Sequence, residues 1–123
     1  MNIQFFDQAP QPKDNVRIQE IELVVYPDRF RVYVHIVVTL FEERPNLLLT
    51  ARRSDGRLAA ESQIIETMHH DMEFTMHLRG LDEPEGDYTL TVDLYYETRN
   101  PPQDRRVVAF HVPSADEVPE DQP

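Results

Sequence analysis

The chain has 123 residues, no cysteine and no tryptophan, and 23 acidic against 12 basic residues give a formal net charge of −11. That length suits one domain burying roughly two-thirds of its unfolded surface, so neither a metal nor a disulfide is needed to hold it together. The missing cysteines exclude disulfides, thiolate nucleophiles and cysteine-ligated zinc, and so acidic a chain repels nucleic acid and anionic lipid.

Residues 1–16 read as a lead-in. They lack the basic and apolar regions of a signal peptide, and residues 7–15 are polar with two prolines, a loop pattern. No apolar run is long enough to span a bilayer. The expected location is therefore cytoplasmic, with no membrane contact. The first strand is expected over residues 17–26 with Ile21, Leu23 and Val25 inward, ending at a Pro27-Asp28 turn. Residues 30–41 form the expected core strand, with Phe30, Val32, Val34, Ile36, Val38 and Leu40 alternating against Arg31, Tyr33, His35, Val37 and Thr39.

Residues 47–53 resume the alternation, and Ser54-Asp55-Gly56 signals a hairpin. The return leg, residues 57–66, carries two patterns. Leu58, Ser62, Ile65 and Met68 approach helical spacing, but the preceding turn and the β-branched Ile64-Ile65 pair favour a strand. Residues 70–79 alternate again with Met72, Phe74, Met76 and Leu78 inward. A polar corner holding Pro84 and Gly86 then leads to Tyr88, Leu90, Val92, Leu94 and Tyr96 on one face. Thr89, Thr91, Asp93, Tyr95 and Glu97 fall on the wet one. The last strand spans residues 105–112, with Val108, Phe110 and Val112 inward. Residues 114–123 hold too little apolar surface to order themselves.

Seven short strands with no long helix indicate an antiparallel sandwich or small barrel. Leu81, Pro84, Gly86, Tyr88 and the alternation at Leu90, Val92 and Leu94 resemble the corner of immunoglobulin-like and fibronectin type III domains. The resemblance implies an all-β, seven-stranded antiparallel immunoglobulin-like sandwich over residues 17–113. It departs from true immunoglobulin domains in lacking both inter-sheet cysteines and the core tryptophan, and a shared fold does not imply a shared function.

Catalytic chemistry finds little footing. The serines, Ser54, Ser62 and Ser114, lie outside any Gly-x-Ser-x-Gly setting, and three glycines make no phosphate loop. The chain is expected to be no enzyme and to carry no cofactor. It is also poorly equipped for carbohydrate, having no tryptophan platform.

Two arrangements are the metal candidates in the alternative reading, a small ligand- or metal-binding sandwich. His35 and His77 fall on outward faces of adjacent strands, with Glu22 and Glu73 on the same face, a donor set suited to zinc. Asp82, Glu83, Glu85 and Asp87 crowd the corner as calcium would want, though their spacing does not match a calcium loop. His69-His70-Asp71 is a poor chelator, since neighbouring residues in extended chain point apart.

The leading expectation is a protein-binding or structural module. Val24 and Tyr26 on the first strand, with Tyr33 and Val37 on the second, are expected to form a partly apolar outer patch beside Arg31 and His35. Its occupant would be a protein partner, a second copy in a homodimer, or the chain's own Ile3, Phe5 and Phe6. An exposed sheet edge offers a further route to a partner by strand addition.

Overall fold

The computed structural model describes residues 9–117. Its strands are β1 (Ile18–Val25), β2 (Arg31–Val38), β3 (Asn46–Arg53), β4 (Leu58–Ile64), β5 (Asp71–His77), β6 (Gly86–Tyr95) and β7 (Asp104–Val112). All ladders are antiparallel and build two sheets, ordered β1-β2-β5 and β4-β3-β6-β7. No α-helix occurs among the described residues.

Period-two alternation sends Val32, Val34, Ile36 and Val38 from one sheet and Leu47, Leu49, Tyr88, Leu90, Val92 and Leu94 from the other into one buried cluster. Residues 57–66 resolve in favour of the strand. In the constant-type immunoglobulin arrangement the fourth strand joins the first, second and fifth. Here it joins the third, sixth and seventh, which leaves one side of β5 without a ladder partner.

The connections obey local chemistry. After Pro27, Asp28 Oδ1 accepts the N–H groups of Phe30 and Arg31 at 3.0 and 3.1 Å. At the β3–β4 hairpin, Asp55 Oδ1 accepts Arg57 N–H at 3.0 Å, and Gly56 takes φ +92°, where a Cβ would be strained. The corner before β6 is tied twice. Tyr88 Oη donates to Pro84 O at 2.5 Å, and Arg53 Nη1 donates to Glu83 O at 2.8 Å. The Tyr88 ring also stacks on Phe110, with centroids 5.0 Å apart.

Several expectations need correction. β2 begins at Arg31, and Phe30 is exposed because it belongs to the turn that Asp28 organises. Asp93 and Tyr95, placed on the wet face, are 6% and 7% exposed. Side chains from β7 and β4 close over them: Arg105 forks onto Asp93 at 2.6 and 3.0 Å, and Gln63 Nε2 donates to Tyr95 Oη at 2.6 Å. The lead-in also packs. Gln11 bridges to Phe41, Lys13–Asn15 makes a 3-10 turn, and Val16 is fully buried in the core. Within the tail, Ala115–Glu117 forms a 3-10 turn; residues 118–123, and Ile3, Phe5 and Phe6, lie outside the described residues.

Candidate functional site

The outer face of β1-β2-β5 is built by register. Val24 lies opposite Tyr33, which lies opposite Thr75; Glu22 lies opposite His35, which lies opposite Glu73; Val37 lies opposite Glu20 and Asp71. These rows alternate along the strands because every second residue points the same way. The expected apolar patch is therefore split. Val24, 50% exposed, and Tyr33 sit together near Tyr26, whose ring carries the Arg31 guanidinium at 4.4 Å. Val37 is cut off from them by the acid-flanked His35 row, since the register sets the glutamates of β1 on this same face.

Beside Tyr33 lies a shallow depression of about 270 Å³, lined by Tyr26, Tyr33, Glu73, Phe74 and Thr75. Tyr33 Oη donates to Glu73 Oε2 at 2.9 Å, and this bond, with desolvation behind it, pushes the phenol up to about 12. His35 stands among carboxylates. Its Nε2 lies 2.7 Å from Asp71 Oδ1, and its Nδ1 lies 3.6 Å from Glu22 and 3.7 Å from Glu20. The Asp71 bond is the main cause holding His35 above its ordinary 6.5, against a smaller desolvation effect.

A histidine whose folded pKa is raised adds stability that is fully present below the unfolded pKa and fades as pH rises through the folded one. The His35 ring protons followed by NMR are accordingly expected to titrate above pH 6.5, and Asp71→Asn to bring the midpoint down. A midpoint unmoved by that substitution would contradict the assigned cause.

The proposed zinc pair does not form. β2 and β5 are neighbours as expected, but His77 lies opposite Arg31, four positions along the strand from His35. A period of two put both histidines on the right face without fixing their register. At the corner, Asp82 and Glu85 are exposed, Glu83 pairs with Arg29 at 2.7 Å, and Asp87 pairs with His111 at 2.9 Å. Among the described residues, no three His, Asp or Glu side chains converge on a point that would hold a metal ion.

One feature was missed in the sequence. Glu42, Glu43, Asn46, Glu66, Tyr96 and Glu97 line an open depression of about 460 Å³ at one end of the sandwich. It gathers residues from distant parts of the chain, and only the folded arrangement brings them together.

No protein-family model matches this chain, and no curated protein matches it in sequence. Its fold does match solved structures. A glycosyl hydrolase family 2 member from Bacteroides cellulosilyticus superposes over 79% of this chain with a TM-score of 0.53 and 11% identity. A Bifidobacterium dentium β-glucuronidase, solved with coumarin-3-O-glucuronide, superposes over 79% with a TM-score of 0.52 and 14% identity. The likeness is one of fold. The chain spans only 14% and 18% of those two proteins. No helix among the described residues is long and apolar enough to cross a membrane.

Proposed function

We propose that this chain is a non-catalytic, immunoglobulin-like sandwich that binds another protein through the outer face of β1-β2-β5. The observation that carries this reading is the juxtaposition on that face of exposed Val24, half-buried Tyr33 with the depression beside it, and the acidic rows around His35. The apolar pair favours burial of a side chain. The carboxylates of Glu20, Glu22, Asp71 and Glu73 outnumber the nearby cations and favour a basic group two or four residues along an extended partner.

A match to less than a fifth of each glycosidase fits a module within larger architectures.

The test is fluorescence anisotropy with a labelled peptide alternating Arg and Leu. Binding is expected to weaken with salt, and Val24→Ser and Tyr33→Ala are each expected to reduce affinity by about tenfold or more. Equal affinity in both variants would overturn the assignment of this face.

A further inference from the structure

The two lateral sides of the sandwich are finished differently. On the side where β1 meets β7, side chains stitch the sheets together. Asp104 Oδ2 accepts Ile18 N–H at 2.8 Å, Arg106 Nη1 donates to Ile18 O at 3.0 Å, and Gln103 Nε2 donates to Lys13 O and Val16 O at 2.7 and 2.8 Å. On the side where β4 meets β5, the fastenings sit toward the two ends: Arg79 N donates to Ala59 O at 2.8 Å and Arg57 Nη1 to Gly80 O at 3.2 Å at one, and Thr67 Oγ1 to Met72 Sδ at 3.2 Å at the other. Between them the sheets part into a groove of about 210 Å³ whose β4 wall is Ala60, Glu61 and Ser62. Glu61, Ser62 and Gln63 are exposed in succession, so here it is the edge of the strand that faces water, and not one face alone.

An unpaired edge is a template for another strand unless it is protected by charge, proline or a bulge. β1, β5 and β7 each carry at least two ionised side chains, whereas β4 carries Glu61 alone, has no proline, and has its irregularity only at the hairpin end. Three large apolar residues also stand exposed on or just beyond β4: Leu58 at 46%, Ile65 at 59% and Met68 at 69%.

We propose that β4 is a self-association edge, pairing antiparallel with β4 of a second copy about a twofold axis at Ser62. The two four-stranded sheets would then join into one of eight strands. The sequence of the edge commits it to this occupant. With the axis at Ser62, Glu61 faces Gln63 of the second copy and Ala60 faces Ile64, so the strand's one carboxylate never meets itself. The ends are complementary too. Arg57 precedes the strand and Glu66 follows it, and antiparallel pairing sets the basic end of one copy beside the acidic end of the other.

Five residues of pairing, 60–64 in each copy, bury less than the ~1,200 Å² of a standard stable interface, so the dimer is concentration-dependent. This edge lies apart from the Tyr33 face, and either reading stands or falls without the other.

Sedimentation velocity on the full chain across the micromolar range tests the proposal. The weight-average mass is expected to climb from monomer toward dimer. Ser62→Lys, which sets two ammonium groups against each other at the axis, is expected to weaken dimerisation at least tenfold, with the melting temperature close to that of the parent. Mixing Ser62→Lys with Ser62→Glu is expected to restore a dimer. Amide exchange of the unaltered chain gives a reading that needs no variant: protection over residues 60–64 is expected to rise with concentration. A parent chain monomeric throughout, a Ser62→Lys dimer as tight as the parent's, or exchange over 60–64 indifferent to concentration would each overturn the proposal.

Discussion

Tyr88→Ala is expected to lower the unfolding free energy by about 3–5 kcal/mol, and Tyr88→Phe, which removes only the hydroxyl, by about 1–3 kcal/mol. The first figure follows from a ring almost fully buried in the core and stacked on Phe110. The second follows from the bond to Pro84 O. Deleting the hydroxyl leaves a carbonyl at a buried proline with no partner, and that desolvation is costlier than the bond's net value. Urea denaturation should show a lower midpoint with an unchanged slope in Tyr88→Phe, because the corner loosens while the surface exposed on unfolding stays the same. A neutral Tyr88→Phe would mean that the corner is held by Arg53 and packing alone.

The second large effect concerns Asp93. Its carboxylate is buried on the outer side of β6 and held by both arms of Arg105, whose own side chain is about half exposed. Arg105→Met is expected to cost about 1–3 kcal/mol, because the buried Asp93 carboxyl group loses its partner. The lower part of that range is favoured, since opening the half-exposed Arg105 site admits water to the carboxylate. Asp93→Leu combined with Arg105→Met is expected to recover most of the loss, because an apolar pair has no charge left to desolvate. If the double variant is as unstable as the sum of the singles, the two side chains are not coupled.

These two sites mark what the sequence made legible. Tyr88 could be read directly. A turn with Pro84 and Gly86 running into a strict alternation is local information, and the structure places the hydroxyl on the backbone of that corner. The Asp55-Gly56 hairpin was legible for the same reason, and it carried residues 57–66 to a strand despite the helical spacing of Leu58, Ser62 and Ile65.

Asp93 and Tyr95 were misplaced because alternation assigns a face but not its cover. What buries them is Arg105 from β7 and Gln63 from β4, one partner on either side of β6 and β3. His35 shows the same limit. Its face was read correctly, yet its cross-strand neighbour is Glu73 and not His77, a matter of register that no single strand encodes. The open β4 edge depended on which sheet the fourth strand joins, and the alternation within β4 carries no signal of that choice.

Binding of a partner at the face around Tyr33 is tested most directly by chemical-shift mapping of the ¹⁵N-labelled chain with the Arg-Leu peptide. The predicted result is a saturable set of shifts confined to residues 20–26, 31–37 and 71–75, with Val24, Tyr33 and His35 moving most. Shifts spread evenly over the acidic surface, or centred on another part of the sandwich, would contradict it.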